Sequence, residues 1–273
     1  MNRISRSMGH ARVLRSDEPL NNEQIARVAP SVFADQPHGS RSERYTYIPT
    51  GTVLDGLRNE GFQPFMVCQT QPRDESKFEY AKHMIRLRHA GQIASNQVNE
   101  IILINSHDGT SSYQMVAGVF RFVCHNGLVC GDIRDDLRIR HQGDQIGQVI
   151  EGAYRVLDDF KRVDASRETM QQIFLKPEEQ MAFAESALRL RYEGAPPIGP
   201  AQAMKPRRMA DAGQDLWTTL NIVQENLVRG GQRGINRNNQ RVTTRAVNGI
   251  DNNLRFNQAL WVLAERMAEL KAA

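Results

Sequence analysis

Residues Ile101-Ile102-Leu103-Ile104 set the strongest constraint on how this chain can fold. Four β-preferring apolar residues in succession leave no polar face, so a strand formed here must be central in a sheet and covered above and below. The surrounding sequence offers it partners. Residues 62–69, 80–88 and 113–123 each read as strands beside 100–105. His107-Asp108-Gly109 would supply the positive φ of a turn between the last two. Gly118, inside the last strand, is expected to mark a bulge.

The flanking segments read as helices. Residues 21–29 carry a short helical pattern that Pro30 ends, and Pro49 and Thr50 open a second helix running through Val53, Leu54 and Leu57 to a cap at Gly61. Further on, Ile146, Ile150, Ala153, Leu157 and Phe160 form one stripe at helical spacing, and Met181, Ala184, Leu188 and Arg191 begin another after Pro177. Leu216, Trp217, Leu220, Val223 and Leu227 mark another helix, and Ile250, Leu254, Asn257, Trp261 and Ala264 the last. The expected fold is α+β: an antiparallel four-stranded sheet with flanking helices, followed by a helical C-terminal half. Its expected organisation is a core with a basic N-terminal tail over 1–145, and a helical extension packed on that core over 146–192. A proline-rich linker over 193–206 and C-terminal helices over 207–273 follow.

Charge is unevenly spread. Arg229, Arg233, Arg237, Arg241 and Arg245 stand four residues apart. From Lys205 to Arg245 eight basic residues face Asp211, Asp215 and Glu225, a local surplus of five against +4 for the whole chain. The residues between these arginines are rich in Gly, Asn and Gln, which disfavour a helix interior. Residues 228–246 therefore read as a flexible cationic arm offering forked hydrogen bonds to oxyanions, or as a solvated loop paired with carboxylates elsewhere. In the strand at 80–88, Lys82, Arg86 and Arg88 share a face with Met84, while Ala81, His83, Ile85 and Leu87 take the other. One sheet face is thus expected to be basic, or else solvated with mixed ion pairs.

Several chemistries lack their residues. Ser106, His107 and Asp108 are adjacent on a turn and point different ways, so they do not form a triad. Gly230-Gly231 lacks the spacing of a phosphate-binding loop, and no ATPase is indicated. Asp132, Asp135 and Asp136 lie among Arg134, Arg138 and Arg140, a pattern of surface ion pairs. Cys68, Cys124 and Cys130 fit neither a disulfide framework nor a zinc site. No catalytic residues, cofactor or metal are therefore expected. With no apolar run near membrane-spanning length and a basic, polar start, the expected location is the cytoplasm.

Certain motifs call up a family. Ser42-x-Arg44-Tyr45-x-Tyr47-Ile48-Pro49-Thr50, Gly61-Phe62-x-Pro64 and Asn105-Ser106-His107-Asp108-Gly109 come first. Phe120-Arg121-x-x-Cys124-x-Asn126-Gly127-Leu128-Val129 and Asn257-x-x-Leu260-Trp261 complete the set. Together they resemble a domain-of-unknown-function family of phage- and plasmid-like proteins that includes the prophage protein YfjQ. The resemblance implies a mobile-element context of recombination, replication or conflict with host defences. The order of elements is also similar to ring-forming single-strand annealing proteins of the Redβ and RecT type. That analogy implies a basic groove holding one strand by its phosphates, so that a complement pairs without ATP.

The first expectation is therefore a single-stranded DNA-binding and annealing protein, oligomeric and ring-forming. Arg41, Arg44, Lys82, Arg86 and Arg88 would contact phosphates, Tyr45 or Tyr47 would stack, and Arg229, Arg233, Arg237, Arg241 and Arg245 would clamp the strand. The alternative is a protein-interaction module or inhibitor of a host defence or DNA-processing enzyme. A metal-dependent nuclease is the third and least supported reading.

Overall fold

In the computed structural model of this chain, the residues described are 3–5, 11–42, 45, 47–89, 97–121, 126–130, 137–138, 145–247 and 249–272. They fall into two compact units. The first comprises Met1–Gly127, Ile133–Phe160 and Asn248–Ile250; the second comprises Leu128–Asp132, Lys161–Val247 and Asp251–Ala273.

The first unit is built on the strand that the apolar run demands. β1 (Arg3–Ser5), β2 (Ala11–Arg15), β3 (Phe62–Thr70), β4 (His83–His89), β5 (Gln97–Asn105), β6 (Gln114–Arg121), β7 (Asn126–Val129) and β8 (Leu137–Arg138) form a sheet. Its order is β1-β2-β3-β4-β5-β6-β7, with β8 also pairing β6. Every pairing from β1 to β6 is antiparallel. β5 is buried from Val98 to Asn105, as a strand without a polar face must be.

The fold is α+β with an antiparallel sheet, but the sheet is wider than four strands. Among the described residues it has eight. The basic N-terminus supplies β1 and β2, where Val13 sits opposite Cys68 and Leu14 opposite Val67, both buried. Two apolar residues between arginines are too few for a periodic signal, yet enough to cover one rung of the sheet. β4 begins at His83, because residues Glu75–Tyr80 wind into a 3-10 helix capped by the Asp74 side chain. β5 and β6 pair without a shift through Gly118, so no bulge lies there. The irregularity is in β3 between Pro64 and Met66, where proline cannot donate to the ladder.

Two helices cover one region of this sheet. α1 (Asn22–Val28) starts with a capping box in which Asn21 and Gln24 exchange side chain-to-backbone hydrogen bonds of 2.9 Å. α2 (Thr50–Asn59) follows Pro49 and precedes Gly61, whose φ is +88°. α1 packs on β2 and β3, and α2 on β3, burying Ile25, Val28, Val53, Leu54 and Leu57. α3 (Gln145–Gln172) begins in this unit and ends in the second.

The second unit contains α4 (Pro177–Arg191), α5 (Pro200–Ala203), α6 (Leu216–Arg229), a hairpin of β9 (Arg233–Ile235) and β10 (Arg241–Thr243), and α7 (Ile250–Ala272). α6 is its centre. Beyond the apolar stripe expected of it, α6 also buries Asn221, Gln224, Glu225 and Asn226. Trp217 of α6 meets Trp261 of α7 edge to face at 6.4 Å, and the Gln224 amide donates to Asn257 Oδ1 at 2.7 Å. Among the described residues no helix is long and apolar enough to cross a membrane.

Candidate nucleic-acid interface

The arginine-rich segment is an ordered hairpin. Gly230 and Gly231, with φ of +63° and +79°, turn the chain out of α6. A Cβ on Gly230 would collide with the backbone of Thr244 and Arg245. Arg233 then pairs with Thr243, Gly234 with Val242 and Ile235 with Arg241. The turn is closed by Asn236, whose Oδ1 accepts from the backbone N–H of Asn238 and Gln240, and by Asn239 in the left-handed region at φ 57°.

A pedestal holds this hairpin, and the pedestal is the proline-rich stretch read from sequence as a linker. The Ile235 N–H donates to the Pro197 carbonyl at 2.9 Å, and the Gln202 amide donates to the Arg233 carbonyl at 3.0 Å. Gly234 lies so close to the Pro197 carbonyl that a Cβ there would overlap it. Arg237 donates to the Glu193 carbonyl. Both segments lack periodicity because each uses its backbone and polar groups to order the other.

The five arginines are consequently not equivalent. Arg229 ends α6 and pairs with buried Glu225 at 2.6 Å, a carboxylate that Arg208 also engages at 2.6 Å. Arg237 braces the turn against the pedestal. Arg233, Arg241 and Arg245 are exposed, and among the described residues no carboxylate forms an ion pair with them. On the outward face, Arg233 and Arg241 alternate with Thr243 and Ile235, the last of these 59% exposed.

In the first unit, the basic sheet face is not a solvated one. Arg86 and Arg88 do share a face, as strand alternation requires, but they are only 4% and 2% exposed. Arg86 Nη1 and Arg88 Nε bind the two oxygens of the buried Glu100 carboxylate at 3.1 and 2.8 Å, and Arg88 also stacks over Phe65 at 4.3 Å. Their expected role as phosphate contacts is corrected on that ground. Lys82 is half-buried, its carbonyl accepting from the Thr70 N–H and hydroxyl. Arg44 lies outside the described residues.

Tyr45 and Tyr47 are half-buried and fasten a loop. Tyr45 donates to the Ser106 carbonyl at 2.9 Å, and Tyr47 donates to the Ala34 carbonyl. Burial and neighbouring carboxylates push both phenols up, Tyr47 to about 12. Arg41 crosses the turn so closely that a Cβ on Gly109, at φ +76°, would meet its guanidinium. The Tyr-x-Tyr-Ile-Pro-Thr and Asn-Ser-His-Asp-Gly motifs are therefore neighbours in space.

Beneath them runs a buried polar chain that periodicity did not reveal. The Gln69 amide nitrogen donates to the Phe78 carbonyl, so Gln69 Oε1 accepts from the Ser31 hydroxyl at 2.7 Å. Ser31 Oγ then accepts from His83 Nδ1 at 2.8 Å, leaving His83 Nε2 to accept from the Thr50 hydroxyl at 3.0 Å. Thr50 Oγ1 in turn accepts from the Asn105 amide at 3.0 Å. One amide orientation thus fixes the direction of every bond and the tautomer of His83. His107 lies beside this chain, its ring 5.3 Å from His83 and 4.8 Å from Tyr47. Burial, aided by the neighbouring His107, lowers His83 to about 3; burial lowers His107 to about 4 despite the Ser31 carbonyl and Asp108, so both rings are neutral near pH 7. The inward-facing polar positions Gln69, His83 and Asn105 were the available signal. Among the described residues no histidine, cysteine and carboxylate cluster suits a metal ion.

A sequence model of the family described as a domain of unknown function (DUF932) matches residues 37–261. Two relatives from Escherichia coli (strain K12), the UPF0380 proteins YfjQ and YafZ, are each 53% identical over 268 residues, covering 98% of this chain and 98% of their own. No solved structure matches the chain.

Proposed function

The chain belongs to the DUF932 family, and within that family we propose that it is a nucleic-acid-binding protein that engages phosphates through the β9–β10 hairpin. One observation carries the reading. Arg233, Arg241 and Arg245 are exposed, form no ion pair among the described residues, and stand on a backbone already held in place. Ordered, unneutralised guanidinium groups bind oxyanions without the entropy cost of organising a loose arm. Fluorescence-polarisation binding to labelled DNA across a salt series tests it. Replacing the three arginines by glutamine should weaken binding and flatten the dependence of log affinity on log salt by about 0.7 to 0.9 for each of them that contacts a phosphate. Unchanged affinity and slope would refute the reading.

ATP-independent annealing of single strands by a ring is a narrower proposal with less support. The sheet face meant to form the groove holds Arg86 and Arg88 against Glu100. Pairing of complementary oligonucleotides, with the protein's mass recorded in parallel, is its test. The alternative, a module that binds a host enzyme, would gain if DNA binding failed at low salt while a stable protein complex formed through exposed Ile235.

A further inference from the structure

We infer that the hairpin is a two-stranded ribbon that enters the major groove of duplex DNA and reads base edges with Arg233, Arg241, Thr243 and Ile235. The inference rests on the phosphate-binding reading above and narrows its ligand to duplex DNA.

Size and geometry fit first. The major groove is about 12 Å wide and admits a two-stranded β-ribbon. β9 and β10 form such a ribbon, and its Gly234 face and the outer edge of β9 are committed. Gly234 is pressed against Pro197, the Ile235 N–H is bonded to the Pro197 carbonyl, and the Arg233 carbonyl is bonded to Gln202. Only the outer face is left for a ligand.

The chemistry of that outer face is selective. Arg233 stands opposite Thr243, and Arg241 opposite Ile235, so each guanidinium has a methyl-bearing neighbour across the ribbon. Arginine forks match the O6 and N7 acceptors of guanine, and threonine or isoleucine methyl groups suit the C5-methyl of thymine. Proteins that hold unpaired strands add aromatic platforms for stacking bases. From 229 to 246 there is no aromatic residue. Tyr45 and Tyr47, in the other unit, donate their hydroxyls to the Ser106 and Ala34 carbonyls. Exposed Arg245, just beyond β10, is placed to meet a phosphate at the groove edge.

Selection of bound sequences from a randomised duplex library by the full chain tests this. A short guanine-containing site should be enriched, and altering its guanine should weaken binding about tenfold or more. Arg241→Lys keeps the charge and loses the fork. It should abolish discrimination at one guanine while leaving the salt slope of non-specific binding unchanged. Thr243→Ser, which removes only a methyl, should relax the choice at one thymine. Thermal unfolding of each variant checks that the hairpin persists. No enriched site, a preference for single strands, or an Arg241→Lys variant that discriminates like the parent would overturn the inference and leave phosphate binding standing. No binding to any DNA at low salt would overturn both.

Discussion

Ile235 donates its backbone N–H to the carbonyl of Pro197 at 2.9 Å, which makes the proline-rich stretch the foundation of the arginine hairpin. Gly234 beside it allows the approach, since a Cβ would overlap the same carbonyl. Gly234→Ala should therefore lift the hairpin from its pedestal, at a cost of about 1–3 kcal/mol. Urea unfolding gives the stability change, and binding across a salt series should weaken in parallel. A variant as stable as the parent would mean that the pedestal does not hold the hairpin.

The histidine pair predicts acid sensitivity. His83 and His107 have folded pKa values lowered to about 3 and about 4, below the ordinary value near 6.5. The unfolded chain thus takes up protons that the folded chain refuses as pH falls through 6.5. Stability rises with pH in this window and is lost on acidification. Between pH 6 and pH 5, each histidine should contribute a slope of up to about 1.4 kcal/mol per pH unit. Urea midpoints measured across that interval should fall steadily. A flat profile would show that the rings are not held neutral.

Much of the fold was legible for simple reasons. Ile101–Ile104 could not tolerate water on either side, and β5 is buried on both. The helical pattern over residues 21–29 became α1, and Pro49 with Gly61 bracketed α2. Alternation correctly placed Arg86 and Arg88 on one face, but period two says nothing about what lies opposite. Glu100, one strand away in space and twelve residues along the chain from Arg88, decided that they are buried. The hairpin escaped for a related reason. Gly-Ile and Val-Thr are too short to show a strand period, and the groups that order them come from residues 193–202, which composition marks only as non-helical.

Thr50 joins α2 to the sheet through its hydroxyl, which binds His83 Nε2 and the Asn105 amide at 3.0 Å each. Thr50→Val keeps the shape and leaves both buried groups without that partner. It should cost about 1–3 kcal/mol, whereas Thr50→Ser, which retains the oxygen, should cost clearly less. Thermal or urea unfolding of the two variants decides it. Equal losses would assign the effect to the methyl group instead of the hydrogen bonds.

Glu100 carries the opposite kind of burden, a buried carboxylate shared by two guanidinium groups. Glu100→Gln preserves volume and removes the charge, so Arg86 and Arg88 lose a common counter-ion inside the sheet. Destabilisation of about 3 kcal/mol or more is expected, because uncompensated buried charge is costly. A denaturation midpoint close to that of the parent would show that other groups hold the two arginines.

The arginines of residues 229–245 should then separate into two classes by measurement. Arg229 neutralises buried Glu225 together with Arg208, and Arg237 braces the turn against Glu193. Arg229→Gln should lower stability by about 1 kcal/mol, with little change in the salt slope of DNA binding. Arg233→Gln, Arg241→Gln and Arg245→Gln should weaken DNA binding instead. Each should leave the unfolding midpoint nearly unchanged, because an exposed side chain without an ion pair contributes little to the fold. Any one of them that contacts a phosphate should lower the slope of log affinity against log salt by about 0.7 to 0.9. A residue that touches only a base edge should instead change sequence preference and leave that slope in place. If all four substitutions affected slope alike, the segment would be behaving as the loose cationic arm suggested by its composition, and the ordering of the hairpin would have no part in binding.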